Sequence, residues 1–264
     1  MNHPDYDPRR FQANVPFYAR YRLGYPDRLI GLIAASAGVR EGDPVLDLGA
    51  GPGLLAVPFA RARMAVTAVD PEPDMLKALR AAAAAAQVSI EILQGSSFDM
   101  PPRIGPFRLV TIGRAFHWMD RVAALEMLDR QIVTGGALAL VHDHHPETAE
   151  NAWRSALREI ADRFGRAVAP HVRAARSSGY RSHESVLLDS AFSRLERTGV
   201  IIRRELSADD IVGLGYSLSA LSPAKLGQRA QAFEADLRAE LSRLSPDGRF
   251  AEIAELSALI AKRA

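Results

Sequence analysis

The sequence predicts an α/β protein built on a doubly wound, mostly parallel sheet. Between residues 44 and 142, β-rich runs alternate with helical segments. The five runs are Val45–Leu48, Ala65–Val69, Ser89–Leu93, Leu109–Ile112 and Ala137–Val141. Alternation of this kind is typical of parallel strands joined by helices on both faces of a sheet. With 264 residues, of which 48% are hydrophobic and 24% charged, the chain is long enough to bury one such core.

Composition excludes several classes of function. The 33 basic and 31 acidic side chains leave a formal charge of only +2, which argues against nucleic acid as the main partner. The lack of cysteine excludes disulfides, thiolate metal sites and a cysteine nucleophile. No apolar run approaches the roughly 18 residues that a membrane helix needs, and the first residues lack the apolar region of a signal peptide. We therefore expect a cytoplasmic protein that binds neither nucleic acid nor a membrane, as a monomer or a homodimer.

The first strand leads into a glycine-rich turn with the sequence VLDLGAGPG. After Asp47, glycines occupy alternate positions at 49, 51 and 53. Because glycine has no Cβ and tolerates positive φ, such a turn brings its backbone and the next helix's amides close to a ligand. The dinucleotide fingerprint is GxGxxG, whereas this spacing is GxGxG with Leu54 where the third glycine would stand. The spacing favours another adenosine cofactor over a nicotinamide dinucleotide.

Asp70 ends the second predicted strand, 21 positions after Gly49. A carboxylate there accepts hydrogen bonds from both ribose hydroxyls of an adenosine lying across the turn. The alternative is a helix N-cap ahead of Pro71. Met75, one turn further on, packs either on the purine or in the core. After the third strand, the segment QGSSFDMP offers a polar edge and an apolar cover for an adenine ring.

The fourth and fifth strands end in GRAFHWMD and VHDHHP. His117 follows the fourth strand, where a bound adenosine cofactor would present its reactive end, although a lone histidine is more often structural. The second motif holds three histidines and an acid, from His142 to His145. Adjacent residues of an extended chain point to alternate faces, so we predict no metal and expect one or two of them to line an acceptor pocket.

The carboxyl-terminal half has a different pattern. An amphipathic helix is predicted over Asn151–Phe164, a strand over Val200–Ile202, a capped helix from Ser207 and a longer helix from Ser222. Phe250–Ile260 is ambiguous between strand and helix. The irregular stretch Ala167–Glu184, with Arg173, Arg176, Arg181, His171 and His183, is either a substrate cover or a solvated basic loop.

The motifs together resemble the class I S-adenosylmethionine-dependent methyltransferases. Within that family they are similar to the type 11 methyltransferase domain and the trans-aconitate methyltransferase-like enzymes that act on small molecules. The resemblance is carried by YARYRLGYP (18–26), VLDLGAGPG (45–53), AVDPEPDML (68–76), QGSSFDMP (94–101), AFHWMD (115–120) and VTGGALAL (133–140).

The resemblance implies a Rossmann-like, doubly wound sheet of seven strands, the last antiparallel, which would make Phe250–Ile260 a strand. It implies one methyltransferase domain over residues 1–264: an amino-terminal cap arm (1–40), a cofactor-binding core (41–145), a helical lid or substrate segment after the fifth strand (146–199), and carboxyl-terminal strands and helices (200–264).

The resemblance also implies roles in binding the cofactor. Gly49, Gly51 and Gly53 would surround its methionine part, Asp70 its ribose, Ser97 and Phe98 its adenine, while Arg114 and Ala115 form the floor and Tyr18 and Arg22 close over its carboxylate. We include as neighbours Asp47, Ala50, Pro71, Met75, Ser96 and Trp118.

The predicted function is methyl transfer from S-adenosyl-L-methionine to an oxygen, nitrogen or carboxylate of a small molecule, leaving S-adenosyl-L-homocysteine. If the acceptor must lose a proton, His117 is the predicted base, with His142 or His144 as second candidates. A carboxylate acceptor would instead need anchoring, for which the arginines at 173, 176 and 181 are candidates. The acceptor pocket is expected beside His117, Trp118 and Tyr216. The alternatives are a non-catalytic cofactor-binding regulator and a nicotinamide-dependent oxidoreductase.

Overall fold

A computed structural model describes residues 12–102, 104–165 and 180–264 and contains a seven-stranded sheet in the order β3-β2-β1-β4-β5-β7-β6. The strands are β1 (Pro44–Leu48), β2 (Ala65–Asp70), β3 (Glu91–Gln94), β4 (Phe107–Gly113), β5 (Ile132–His144), β6 (Arg194–Ser207) and β7 (Arg249–Lys262). The first five pair in parallel, and β7 pairs antiparallel with both β5 and β6. The predicted Rossmann-like sheet with an antiparallel last strand is confirmed.

Helices follow most of the strands. They are α1 (Val15–Tyr21), α2 (Asp27–Ala37), α3 (Ala56–Arg61), α4 (Pro73–Ala85), α5 (Arg121–Gln131), α6 (Ala152–Arg163), α7 (His183–Leu188), α8 (Ala208–Tyr216), α9 (Pro223–Leu226) and α10 (Ala230–Leu244). The capped start of α8 is as predicted, with Ser207 and Asp210 forming a capping box.

Three predicted elements have the wrong extent. Strand β5 runs over Ile132–His144 rather than Ala137–Val141. Strand β6 is much longer than Val200–Ile202, because β7 pairs with it continuously from Arg194 to Ser207. The long helix predicted from Ser222 is interrupted after Leu226, where Gly227 takes φ +57°.

Hydrophobic clusters cover both faces of the sheet, and a third cluster lies beyond the carboxyl ends of its parallel strands. Strand β5 places Ala137, Ala139 and Val141 on the face packed by α2, and Leu138 and Leu140 on the opposite face. The third cluster joins α6, α8 and α10, and Phe17 and Tyr21 of α1 pack against it. We call α6, α8 and α10 the helical cap.

The helical cap lies beyond the carboxyl ends of the parallel strands. Leu206 near the end of β6 and Phe250 near the start of β7 belong to its core. Helix α1 is tied to the cap by Asn14, whose amide donates hydrogen bonds to the carbonyls of Tyr216 (2.7 Å) and Leu218 (2.8 Å). A cleft between sheet and cap is where doubly wound proteins bind ligands. Across the described ranges, no helix is both long and apolar enough to cross a membrane.

Candidate functional site

The glycine turn lies between β2 and the loop that follows β4. The amides of Gly49 and Ala50 donate to the Val69 carbonyl at 2.8 and 3.1 Å. Gly49 has φ +73°, and a Cβ at this position would lie 2.7 Å from the Ala115 Cβ. A larger residue therefore fits neither the backbone conformation nor the space, and the turn stays in close contact with Ala115.

Gly53 allows the turn to pack against α4 and does not shape the cleft itself. Its φ is +91°, and an added Cβ would lie 2.2 Å from Leu79 Cδ1 on α4. Met75, also on α4, is buried with its sulfur 4.0 Å from the Cβ position of Gly51. The turn thus rests on α4, and Met75 supports it from below.

Asp70 fixes the turn at the end of β2. Its Oδ2 accepts the Gly51 amide at 2.8 Å and its Oδ1 accepts the Glu72 amide at 2.9 Å. Burial raises the pKa of Asp70 to about 6, against the opposing effect of the two amide hydrogen bonds. Each carboxylate oxygen accepts more than one hydrogen bond, so ligand hydroxyls can still bind here.

Asp47 is held from two sides beneath the same turn. Its Oδ2 accepts the Ala56 amide at the start of α3 (3.0 Å), and its Oδ1 accepts the Thr111 hydroxyl (3.0 Å). Burial raises the pKa of Asp47 to about 7 despite these hydrogen bonds. The side chain joins β1, α3 and β4, and so shapes the floor of the cleft.

A cavity of about 30 Å³ remains above the turn. Its lining includes Tyr18, Tyr25, Asp47, Gly49, Ala50, Gly51, Gly113 and Arg114. Among the residues that the structure describes, two buried polar atoms of this lining have no hydrogen-bond partner: the Tyr25 hydroxyl and Arg114 Nη1. Burying such groups unpaired is costly, which is a physical reason to expect a ligand's polar atoms here.

Arg114 is held in one orientation by several contacts. Its Nε donates to Asp143 Oδ1, its Nη2 donates to the Leu23 carbonyl at 3.0 Å, and its guanidinium lies 4.8 Å from the centre of the Tyr25 ring. The residue has φ +55°, a left-handed conformation that side chains rarely adopt and that surrounding contacts must enforce. Nη1 is consequently left for the cavity.

Sequence reasoning missed the residues that hold Asp143. His145 lies with Nδ1 3.5 Å from Asp143 Oδ2 and with Nε2 3.2 Å from Glu252 Oε1. Glu252 also pairs with Arg154 of α6 (2.8 Å) and Arg204 of β6 (2.5 Å). Burial works to raise the pKa of Asp143, but Arg114 and His145 hold it below its usual value. The HDHH motif was visible in the sequence, whereas Glu252 carried no signal.

The predicted residues on the adenine side lie in the loops after β3 and β4. Ser96 Oγ accepts the amides of Phe98 (3.1 Å) and Asp99 (3.2 Å), so this hydroxyl shapes the loop in which Ser97 and Phe98 are half-buried. Pro71 faces the same loop, since its carbonyl accepts from Gln94 (3.2 Å). The rings of His117 and Trp118 lie next to each other, with centres 4.8 Å apart.

Tyr18 and Arg22 come from α1 and the segment after it. Tyr18 lines the cavity, and the Arg22 guanidinium lies 5.1 Å from the centre of its ring. Arg22 Nε also donates to Ser217 Oγ of the cap at 2.9 Å. This segment therefore contacts the cavity and the cap together.

Several predicted acceptor-side residues lie elsewhere. His142 contacts Ser257 Oγ at 3.1 Å, and strand alternation places His142 and exposed His144 on the face opposite Asp143. Tyr216 is buried against Phe17 and Phe233, and its hydroxyl donates to the Ala230 carbonyl (3.2 Å) and to Glu234 (3.1 Å).

The predicted substrate cover is described only in part. Arg173, Arg176 and His171 lie outside the described residues. Arg181 donates to the Ser185 carbonyl at 2.7 Å and pairs with Asp189, so it braces α7. The Phe116 and His183 rings meet edge to face, 5.1 Å apart.

The sheet order, the GxGxG turn after β1 and the acid at the end of β2 define the class I methyltransferase fold. A family model described as a methyltransferase domain matches residues 45–136, from β1 into β5. Residues 45–136 are therefore similar to a methyltransferase domain, and the curated relatives and solved structures described next agree with that likeness. Membership of the trans-aconitate-like subgroup stays a prediction.

Curated relatives agree over the same part of the chain. An uncharacterized methyltransferase of Mycobacterium tuberculosis is 34% identical over 155 residues, 59% of this chain and 60% of the relative. An uncharacterized methyltransferase of Schizosaccharomyces pombe is 28% identical over 134 residues, 50% of this chain and 52% of the relative. Each match spans less than two thirds of the relative's length.

Solved structures share the fold at low identity. The YcgJ protein from Bacillus subtilis superposes with a TM-score of 0.53 at 19% identity, covering 90% of this chain and 100% of that one. YjhP from Escherichia coli gives 0.56 at 13% identity, covering 97% and 100%. At such identities the likeness concerns the fold alone.

Proposed function

We propose that this protein transfers a methyl group from S-adenosyl-L-methionine to an oxygen, nitrogen or carboxylate of a small molecule. The observation that carries the proposal is the cavity above the glycine turn, where Tyr25 and Arg114 present unpaired polar atoms next to backbone that only glycine can form. A methyltransferase domain over residues 45–136 supports the same reaction.

The residues of the cleft fit this cofactor. A cofactor with an amino acid at one end and an adenosine at the other needs partners for a carboxylate and for ribose hydroxyls. Arg114 Nη1 and the Tyr25 hydroxyl are donors suited to the carboxylate, and Asp70 is an acceptor suited to the hydroxyls. The cofactor, when bound, supplies a methyl group activated by a positively charged sulfonium.

The chain's contribution to the reaction is alignment and exclusion of water. Displacement at an activated carbon gains most from a fixed in-line approach of the acceptor. The cap over the strand ends would shield the acceptor from solvent. His117, in the loop after β4, is the proposed base for an acceptor that must lose a proton. His142 and His144 are less suited to this role, because they lie on the other face of β5 from Asp143.

Replacement of His117 tests whether this residue acts as the base. We expect His117→Ala to slow single-turnover methylation of a hydroxyl or ammonium acceptor by about 100-fold, since general base catalysis is worth 10²–10⁴ in rate. The affinity for S-adenosylhomocysteine should change less than threefold. A single-turnover rate within a few-fold of the parent's would assign His117 to the pocket wall.

Replacement of Tyr25 separates binding from folding. Tyr25→Phe removes a buried hydroxyl that has no hydrogen-bond partner in the described part of the chain, so the melting temperature should stay level or rise slightly. If the hydroxyl binds the cofactor, calorimetric affinity for S-adenosylhomocysteine should fall about tenfold, the size of one hydrogen bond to a charged group. Unchanged affinity would place the ligand's carboxylate elsewhere.

A paired titration decides among the broader alternatives. We expect S-adenosylmethionine and S-adenosylhomocysteine to bind and NAD to show no binding; tight NAD binding would favour an oxidoreductase. Binding of the cofactor with no turnover across a panel of hydroxyl, amine and carboxylate acceptors would favour a regulatory protein. We also propose that the acceptor is a small molecule. The protein is proposed to be a monomer or a homodimer that acts without nucleic acid or a membrane.

A further inference from the structure

Glu252 is contacted by three basic side chains from separate segments of the chain. It is 1% exposed, and its carboxylate meets Arg154 of α6, Arg204 of β6 and His145 at the end of β5. A buried carboxylate is tolerated when its charge is paired and hydrogen-bonded, as this one is. The contact therefore joins the cap helix α6 to the sheet at one point.

The contacts continue from Glu252 into the cofactor cavity. His145 uses its two ring nitrogens to bridge Glu252 and Asp143, and Asp143 holds the Arg114 guanidinium whose Nη1 borders the cavity. Arg114 keeps its left-handed backbone only because its surroundings fix it. The chain of contacts thus ends on a strained residue that needs holding.

We propose that Glu252 and His145 are positioning residues that act through Asp143 to hold Arg114 for the cofactor's carboxylate. This inference rests on the proposed function, because it concerns that same cofactor site. Glu252 touches α6 as well as His145, so the relay also links the placement of the cap to the placement of Arg114. We call the series Glu252, His145, Asp143 and Arg114 the charge relay.

Other charged groups face the relay from the elements packed around it. Arg22 acts on Asp143 from the segment after α1, and Arg22 and Arg158 act on Arg154. Arg204 acts on Glu252 from β6. Cations outnumber carboxylates in this region, so loss of either carboxylate would leave arginines poorly paired.

The test measures how firmly the Arg114 side chain is held, and it uses the protein without a ligand. Hydrogen exchange of the Arg114 Nε–H is measured by ¹⁵N NMR in the unliganded protein, with the signal assigned by its loss in Arg114→Lys. We expect His145→Gln and Glu252→Gln each to speed this exchange about tenfold, because the hydrogen bond to Asp143 loosens. Glu205→Gln, which breaks an exposed pair with Arg249 on the same two strands, is the matched control and should leave the exchange unchanged.

A double variant tests whether Glu252 acts through His145. If it does, Glu252→Gln should add less than twofold to the exchange rate in a His145→Gln background. Additive effects, or unchanged exchange in folded His145→Gln, would overturn the relay. His145→Gln alone decides the matter should Glu252→Gln fail to fold.

Ligand binding is measured afterwards on the same variants. Affinity for S-adenosylhomocysteine should fall about fivefold to tenfold in both relay variants and stay unchanged in Glu205→Gln. Relay variants that alter Arg114 exchange without altering the affinity would refute its role in cofactor binding. A parent protein that does not bind S-adenosylhomocysteine would refute the proposed function, and the exchange data would still decide the contacts of the relay.

Discussion

Asp70→Asn should weaken binding of S-adenosylhomocysteine by about 100-fold. Two charge-assisted hydrogen bonds to ribose hydroxyls are each worth about 1.5–3 kcal/mol, and an amide keeps only one of the two acceptor oxygens. The same change leaves the Gly51 or the Glu72 amide without its acceptor, so the glycine turn loosens as well. Calorimetric titration of parent and variant measures the effect.

The pH dependence of S-adenosylhomocysteine binding gives a second test of the role of Asp70. Because the pKa of Asp70 is raised to about 6, its ionised form is lost as the pH falls through 6 rather than through 4. We expect affinity in the parent to be full above pH 7 and to fall by up to tenfold per pH unit below 6. The profile of Asp70→Asn should be flatter in this range.

Asp43→Asn is the control for Asp70→Asn. Asp43→Asn alters a carboxylate whose Oδ2 accepts the Arg40 amide in an exposed turn, and it should bind like the parent. If Asp70→Asn binds within threefold of the parent, Asp70 serves only to fix the turn.

Gly53→Ala should cost about 3–4 kcal/mol of unfolding free energy. A left-handed backbone costs a residue with a Cβ about 1–2 kcal/mol, and the methyl group would meet Leu79 Cδ1 at 2.2 Å in a packed core. Chemical denaturation measures the loss. Binding of S-adenosylhomocysteine should weaken too, because the turn must shift away from α4.

Gly42→Ala isolates the backbone contribution. Gly42 has φ +85°, close to the +91° of Gly53, but nothing lies within 4 Å of its Cβ position. This control should cost only about 1–2 kcal/mol. Adding Leu79→Ala to Gly53→Ala should cost less than the sum of the single changes, because it removes the clashing side chain. Equal losses in Gly42→Ala and Gly53→Ala would contradict the packing argument.

The sequence predicted well what depends on neighbours along the chain. The glycine turn and the capping box at Ser207 follow from local spacing and residue type. The length of β6 did not, because fourteen paired positions with β7 are a long-range property. Strand character at Phe250–Ile260 came from the family resemblance and is confirmed by β7.

In the candidate site, too, residues in local motifs were predicted from the sequence, whereas long-range contacts were not. Asp70 and the residues of the glycine turn were found from motifs, and their roles toward a ligand stay predictions. His142 and His144 were preferred to His145 although strand register, which the sequence does not reveal, turns them to the other face. Glu252 stands 107 positions after His145 along the chain, so no local pattern could pair them. Tyr25 lies in the YARYRLGYP motif, but only Tyr18 and Arg22 of that motif were given a role.

The attachment of α1 to the cap bears on how fast the protein can exchange its ligand. With Asn14 and Arg22 anchored on the cap and Tyr18 over the glycine turn, the cavity holds only about two water molecules. If the amino-acid end of the cofactor binds in this cavity, we expect α1 to move away from the turn when the cofactor enters or leaves. We expect the lifetime of the complex, and with it the ceiling on turnover, to be governed by the hinge between α1 and α2 rather than by the methyl-transfer step.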